Sequence, residues 1–423
     1  MHDDLFPNER ELKKQLETLN NSLKKYRNAK DEIGAAMQLY KLGDVYIKLD
    51  QYNEALKNLR EAVSLHEKLN DLIAKSKDLA LIGKSLFKLK RYDEAIENYE
   101  NAIKLIEDND LQFQSLEYIN YYGEIGRIYS EMGDFSKALK YFELTLEKHK
   151  QYEDKIFSDE FMRFQRVGSL GIADALQNIG DMYKLAGDYD KTLEYYNQAL
   201  KIYEDLDLVD DKADILYKIG NVYVLLNEFE KAYNMFKQAG EIHFEINDLK
   251  NFALDLEKIC EIICGDYPNE ALKLLNKCAR IYEQLYNDLK KGDIFRMIAL
   301  IYRDLNDLDS ALEFHNKALD IFQQLNDKER EARELRSIGE ILNDMEDYDD
   351  ALKYYEKSLN IFQKLNNDFE IAGTYMNFAA LYNDRGDKEK AIEYIDKAIK
   401  LAENKNLYQI IDKFKRLKEE IIS

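Results

Sequence analysis

Three consecutive residues, Gly83, Lys84 and Ser85, copy the end of the P-loop that binds nucleotide phosphates. The first glycine of that motif should stand at position 78, which holds Asp78 instead. The helical pattern around the motif also lacks the strand that precedes a P-loop. We therefore expect Gly83 to be a small residue of the repeat described below, followed by an exposed lysine, and we expect no nucleotide cofactor.

The three cysteines are a second candidate for chemistry, because thiolates are common zinc ligands. Cys260 and Cys264 are one helical turn apart, and Cys278 follows in the next predicted helix. The nearest histidines, His243 and His315, are too distant in sequence to supply a fourth ligand. Cys260 and Cys278 also occupy positions that hold small residues elsewhere in the chain, so we expect buried core side chains and no metal site.

The remaining residues that could support catalysis have unsuitable spacing. None of the five histidines pairs with another at i, i+4, as in a zinc protease, or with a Ser or Cys as in nucleophilic catalysis. The carboxylates are so abundant that close pairs will arise by chance, and such pairs do not indicate a hydrolase. We expect no catalytic residues and no cofactor.

The composition indicates a long helical chain with an extensive solvated surface. Among 423 residues there are only 2 Pro and 17 Gly, which disfavours loop-rich and all-β folds. A net charge of −21 repels nucleic acid and anionic lipid, and no apolar run is long enough to span a bilayer. The acidic start of the chain differs from a secretory signal, and three cysteines are too few for a disulfide framework. We expect a cytoplasmic protein with neither nucleic acid nor membrane as partner.

A repeated pattern of small and aromatic residues runs along the chain. Its glycine or other small residue stands at positions 43, 83, 126, 180, 220, 260, 299, 339 and 379, and its first alanine position at 55, 95, 138, 192, 232, 271, 311, 351 and 391. Spacings of 3, 4 and 7 within a copy place the marked residues on one helical face. Each copy therefore predicts two antiparallel helices, which bury their apolar faces only when stacked on neighbouring copies.

This pattern resembles the tetratricopeptide repeat (TPR) family over residues 32 to 405. The resemblance implies an all-α solenoid, a right-handed superhelix of antiparallel helix hairpins. The family's usual period is 34 residues, whereas the intervals here are mostly 40. The sequence Leu-Asn-Asp replaces the proline at the repeat end, as at residues 69 to 71. A 40-residue period is similar to those of spindle-orientation scaffolds, kinesin light chains and bacterial Rap-type peptide receptors.

The pattern predicts three segments: an N-terminal capping helix within residues 1–31, nine repeats over residues 32–405, and a C-terminal capping helix within residues 406–423. Leucines at positions 12, 16, 19 and 23 provide the apolar face of the first cap. Two repeats are irregular: a hairpin near residues 146–170 is extended, and the repeat near residues 250–285 is degenerate. We expect the degenerate repeat to be a joint between two halves of the array.

In the TPR family, a stripe on the first helix of each repeat lines the concave groove, so the resemblance implies ligand contact there. In the first three repeats this stripe holds six basic and three acidic residues, the reverse of the overall balance. The candidate peptide-binding residues along the chain are Lys41, Lys77, Lys84, Lys88, Arg127, Asn178, Asn221, Arg296, Arg333, Arg336 and Asn377. Basic and amide side chains suit an acidic peptide, although solvated helix faces are also commonly rich in lysine.

The extended hairpin carries an apolar cluster near its tip, with Phe157, Phe161 and Phe164. Such a cluster is unusual in a solvated loop, so these residues are candidates for a second docking surface. An ordinary packed helical extension would also account for them.

Together these features predict a non-catalytic scaffold or adaptor that binds a peptide or protein segment, possibly acidic, in its groove. The alternative function is a regulator that changes conformation on binding a short signalling peptide, as the resemblance to Rap-type receptors implies. The sequence does not indicate the oligomeric state.

Overall fold

The computed structural model describes residues 7–112, 117–153, 161–405 and 407–422, and these residues form 20 α-helices and no strand. The predicted all-α class is therefore confirmed. The chain divides into two compact units, unit 1 (Met1–Asn227) and unit 2 (Glu228–Ser423). The division falls between the two helices of the fifth predicted repeat, which differs from the joint expected in the sixth.

In unit 1 each helix packs against the next one in sequence. Its helices are α1 (Pro7–Ala29), α2 (Glu32–Lys48), α3 (Tyr52–Lys68), α4 (Leu72–Lys88), α5 (Tyr92–Glu107), α6 (Tyr118–Glu131), α7 (Phe135–Glu153), α8 (Phe161–Leu185), α9 (Tyr189–Asp205) and α10 (Val209–Leu225).

In unit 2 the helices follow the same neighbour-to-neighbour packing. They are α11 (Phe229–Glu245), α12 (Leu249–Ile263), α13 (Pro268–Gln284), α14 (Asp288–Asp304), α15 (Leu308–Gln324), α16 (Lys328–Asp344), α17 (Tyr348–Lys364), α18 (Asp368–Asp384), α19 (Lys388–Asn404) and α20 (Tyr408–Ile422). The even-numbered helices α2–α18 are the first helices of the repeats, and the odd-numbered helices α3–α19 are the second helices.

The Leu-Asn-Asp sequences are stop and start signals for the helices. Asn70 adopts a positive φ of 55°, and Asp71 N–H bonds to the carbonyl of His66 at 2.9 Å, which ends α3. The Asp71 side chain then accepts a hydrogen bond from Ala74 N–H at 3.0 Å and begins α4. Asn326 and Asp327 have the same roles between α15 and α16. Three residues therefore suffice to reverse the chain without proline.

These short turns account for the 40-residue period. Most of the repeat helices are 17 residues long, and three residues separate one from the next, as in α14, α15 and α16. A helix with its turn therefore occupies 20 residues and a hairpin 40. The two irregular places have different helix lengths: α12 has 15 residues, whereas α8 has 25.

The small residues of the first helices permit close contact with large side chains of the second helices. A Cβ atom added to Gly180 would lie 2.6 Å from the Tyr196 ring, and one added to Gly339 would lie 2.6 Å from the Tyr355 ring. Gly43 has the same relation to Leu59. In each case the large residue follows the glycine by 16 positions, so the repeated pattern records one helix–helix contact.

Helices α1 and α20 cover apolar surface at the two ends of the chain. Leu19 and Leu23 of α1 are buried in a cluster with Leu39 of α2. Ile411 and Phe414 of α20 are buried against Ala398 and its neighbours in α19. Each terminal helix therefore lies where a cap is expected.

The extension falls on α7, which has 19 residues, and α8, which has 25. Phe157 lies outside the described residues, and so do the side chains of Phe161 and Phe164 in α8. The second docking surface remains a prediction.

Replacing Gly339 with Val tests the close contact. The methyl groups of the valine would overlap the Tyr355 ring, so we expect a loss of about 2–3 kcal/mol in the free energy of unfolding. For a unit of this size, the melting temperature measured by circular dichroism should fall by about 5–10 °C.

Gly265→Val is the matched control, because no atom lies within 4 Å of a Cβ added at this turn glycine. We expect its melting temperature to stay within about 2 °C of the parent. Equal melting temperatures for the two variants would contradict the contact.

Candidate binding surface on the first helices

Four lysines lie on α2 and α4 along the predicted stripe. We call Lys41, Lys77, Lys84 and Lys88 the lysine track. Lys41, Lys84 and Lys88 are exposed and form no ion pair within the described part of the chain, whereas Lys77 lies 3.1 Å from Glu117. Spacings of 7 and 4 residues along α4 place Lys77, Lys84 and Lys88 on one side of that helix. The track therefore offers several ammonium groups to an external anion.

Arg127 on α6 extends the basic surface. Its guanidinium lies 2.9 Å from Glu124, three residues earlier in the same helix, and both side chains are substantially exposed. Such surface pairs contribute little to stability and are screened by salt. Arg127 therefore remains available to a ligand that offers a better-placed carboxylate.

The amides in the second half of unit 1 are less accessible. Asn178 on α8 is half-buried, and Asn221 on α10 donates from Nδ2 to the carbonyl of Tyr217 at 2.9 Å. Beside them, Lys218 Nζ lies 2.8 Å from Asp181 Oδ2. Contacts within the protein thus occupy much of this surface.

In unit 2 two of the three predicted arginines bind a carboxylate of a neighbouring first helix. Arg333 and Arg336 of α16 both donate to Glu370 of α18, at 2.9 and 2.6 Å. The Glu370 side chain is only 8% exposed, so its charge is balanced almost entirely by these two guanidinium groups. The three side chains form a link between α16 and α18.

The other two unit 2 candidates, Asn377 and Arg296, also have acidic partners within the protein. Asn377 of α18 donates to Glu340 of α16 at 2.8 Å. Arg303 of α14 bonds to the same Glu340 at 2.9 Å. Arg296 lies 3.7 Å from Asp293 of its own helix. In unit 2 the basic residues therefore mainly make contacts within the protein, because neighbouring acidic residues neutralise their charge.

An apolar cleft of about 320 Å³ lies between the amino-terminal halves of α2 and α4. Its lining includes Ile33, Met37, Tyr40, His66, Leu69 and Ala74. Asp71 and Lys77 add a charge of each sign. Ile33 is 65% exposed and Met37 49% exposed, although both are large apolar side chains. The cleft therefore presents uncovered apolar surface at the start of the lysine track.

This cleft was not predicted from the sequence, because the predicted binding residues were charged or amide side chains. Met37 precedes Gly43 by six positions, the same spacing by which Lys77 of the track precedes Gly83, and Tyr40 lies about one turn after Met37. A helix surface is usually polar at such positions. The two large apolar residues at these positions are the feature of the sequence from which the cleft could have been predicted.

A buried histidine borders the cleft. His66 Nδ1 lies 2.6 Å from Asp78 Oδ2, and the Asp78 side chain is fully buried. The hydrogen bond to Asp78 raises the pKa of His66, and burial raises the pKa of Asp78. The pair therefore retains its protons to higher pH than the separate groups would. His243 and Asp255 form a similar buried contact at 2.6 Å in unit 2.

The pKa of His149, also in unit 1, is shifted in the opposite direction to that of His66. Its ring packs against Gly171, and its Nε2 lies 3.3 Å from Asn120 Oδ1. Burial lowers the pKa of His149 to about 4, and no carboxylate among the described residues offsets this effect. The imidazole is therefore neutral in the folded protein at neutral pH.

The residues that were candidates for nucleotide or metal binding are packed between helices. Gly83 is inside α4, where an added Cβ would lie 2.8 Å from the Tyr99 ring. Cys260 and Cys278 are buried, and burial raises the pKa of both thiols, that of Cys278 to about 12. Within the described ranges, no three His, Cys, Asp or Glu side chains are grouped to hold a metal ion.

Comparison with protein families gives one match. A family model described as tetratricopeptide repeat matches residues 34–108, 76–151, 171–243, 260–324 and 331–404, which together cover more than half of the chain. None of the curated proteins matches the chain significantly. Along the part of the chain that is described, no helix is both long enough and apolar enough to cross a membrane.

Several solved structures are similar to this chain. Aspartyl phosphate phosphatase F from Bacillus subtilis is 14% identical with a TM-score of 0.50, over 87% of this chain and 94% of that one. The apo form of the quorum sensor NprR from B. thuringiensis is 17% identical with a TM-score of 0.48, over 73% and 83%. BtubC (BKLC) from P. vanneervenii is 23% identical with a TM-score of 0.47, over 56% and 92%. At 14% identity the likeness to the phosphatase is one of fold alone.

The two histidines of unit 1 predict opposite pH effects. The raised pKa of His66 gives a stabilisation that is complete below about pH 6.5 and is lost as the pH rises through the raised value. The lowered pKa of His149 gives a stabilisation that is present above about pH 6.5 and is lost as the pH falls toward 4. Melting temperatures measured between pH 4.5 and 8.5 report both of these losses of stability.

We expect His66→Gln to reduce the loss of stability on the alkaline side and His149→Gln to reduce the loss on the acid side. Each variant is the control for the other, since both remove one imidazole from unit 1. Parallel pH profiles for the two variants would contradict the assignment.

The link at Glu370 gives a further prediction. Glu370→Gln removes the charge that Arg333 and Arg336 share, so we expect a loss of about 2 kcal/mol in the free energy of unfolding. Asp349→Asn is the control: its partner Arg385 lies at a similar 3.0 Å, but Asp349 is 78% exposed. Urea denaturation should show little change for the control. Equal effects would show that burial does not determine the strength of these pairs.

Proposed function

Because the chain belongs to the tetratricopeptide repeat family, we propose that it is a non-catalytic scaffold whose lysine track binds an acidic polypeptide segment. The observation that carries this proposal is the contrast between the units. Lys41, Lys84 and Lys88 have no ion-pair partner in the described ranges, whereas Arg333 and Arg336 of α16 are bound to Glu370. An external carboxylate therefore displaces no ion-pair partner from these lysines within the described ranges.

The overall charge of −21 makes this local basic surface informative. Long-range repulsion disfavours polyanions in general, so a bound anion must be held by short-range contacts. Ammonium–carboxylate hydrogen bonds are about twice as strong as neutral ones. Several of them in a row select a short run of acidic residues, and their exposure makes the binding sensitive to salt.

The alternative, a regulator that changes conformation on peptide binding, remains a prediction. Its support is the likeness to the phosphatase, which at 14% identity is one of fold. Small-angle scattering distinguishes the alternatives: a switch becomes more compact when it binds its peptide, and a passive scaffold does not.

Charge reversal of the track tests the proposal. We expect the triple variant Lys41→Glu, Lys84→Glu, Lys88→Glu to bind a fluorescein-labelled hexaglutamate at least tenfold more weakly than the parent, because three favourable contacts become repulsive. Fluorescence anisotropy at 50 mM and 200 mM salt measures both the affinity and its salt dependence.

The matched control reverses three exposed lysines of second helices, Lys57, Lys104 and Lys140, which gives the same change in net charge. We expect this control to lose less than threefold in affinity. If both triple variants weaken binding equally, the effect comes from net charge and the lysine track is not the site.

A further inference from the structure

We propose that the cleft between α2 and α4 takes one apolar side chain of the bound peptide, whose acidic residues meet the lysine track three to five positions away. This inference rests on the proposed function and specifies the ligand. The expected ligand is thus a motif: one apolar side chain, followed three to five positions away by acidic residues.

The apolar part of the motif follows from Ile33, Met37 and Tyr40. These residues lie one turn apart along α2 and border the cleft together with Leu69 and Ala74. The volume of about 320 Å³ is at the lower end of the range for ligand pockets, which suits a single large side chain. Covering Ile33 and Met37 removes exposed apolar surface from water, which favours binding.

The cleft also offers one oriented polar group. Asp78 holds Nδ1 of His66, so Nε2 is the ring nitrogen left for a ligand. The bond to Asp78 favours a proton on both nitrogens, and Nε2 then donates. A backbone carbonyl beside the apolar side chain is a suitable acceptor. This hydrogen bond from His66 thus orients the peptide backbone beside the apolar side chain. The peptide needs no charged residue at that position.

The spacing follows from helix geometry. Lys77 borders the cleft, and Lys84 and Lys88 follow it on the same helix by seven and eleven residues. At about 1.5 Å per residue these positions lie roughly 10 and 16 Å farther along α4. An extended peptide advances about 3.3 Å per residue, so it reaches them after about three and five residues. Lys41, one turn from Met37, lies opposite this path on α2.

The charges around the cleft favour a peptide over a second copy of this chain. The track is basic, whereas the chain carries 82 acidic against 61 basic residues, so two copies repel at long range. A short segment with two or three acidic residues brings the complementary charge without that repulsion. Dimerisation through the cleft is an outcome that the experiment below detects.

The test uses the full chain and the labelled probe peptide Gly-Gly-Leu-Gly-Gly-Glu-Glu-Glu-Gly, together with the same sequence in reverse order. In one comparison peptide Ser replaces Leu. We expect at least one of the two directions to bind, and the Ser peptide to bind at least tenfold more weakly. Met37→Asp should remove this difference by placing a charge in the cleft.

Two controls keep the result independent of folding. Met37 is 49% exposed and Leu300 of α14 is 45% exposed, so Leu300→Asp is a matched substitution outside the cleft and should leave probe binding unchanged. The chain has five histidines, so their imidazole proton signals can be followed by NMR. The His66 signal, assigned by its loss in His66→Gln, should shift with the Leu peptide and not with the Ser peptide.

The outcomes separate this inference from the proposed function. Equal binding of the Leu and Ser peptides, with loss of both in the lysine variant, would overturn the anchor and retain the acidic-peptide site. Failure of every peptide would overturn both. Self-association that Met37→Asp abolishes, measured by analytical ultracentrifugation, would assign the cleft to a second copy of the chain and so overturn the inference.

Discussion

The contact on which the rest of the structure depends is the close approach between a small residue of each first helix and a large side chain of the following second helix. At Gly180 and Gly339 there is no room for even one more carbon atom. This contact fixes how deeply each hairpin closes. The depth of closure in turn determines which residues of the first helices are left facing outward, and so it positions both the lysine track and the cleft.

The outward surfaces of the first helices have different electrostatic roles in the two units. In unit 2, Glu370 accepts hydrogen bonds from two arginines of α16, and Glu340 accepts them from Arg303 and Asn377, so these charges are satisfied inside the protein. In unit 1, around α2 and α4, carboxylates at the equivalent places are few, and the lysines remain solvated. The same repeat geometry therefore supports a stabilising network in one unit and an open surface in the other.

The helical class, the repeated hairpins and the family could be predicted from the sequence, because the small and aromatic positions report a contact that is local to each copy. The division at Asn227 could not, since it depends on packing summed over many residues. Basic residues of the stripe were found, but their partners were not: Arg333 meets Glu370 across 37 positions, a separation that no single-helix pattern reveals. The cleft was missed because its signal was the lack of charge at Met37 and Tyr40.

That separation of 37 residues recurs. It joins Lys218 to Asp181, Arg303 to Glu340, and Asn377 to Glu340, always between consecutive first helices. Helices α14 and α16 begin and end at positions 40 residues apart, so these two repeats share the same helix boundaries. The charges are not interchangeable. The order of the repeats is therefore specified by side-chain pairs between consecutive first helices, and exchanging two repeats would break these pairs.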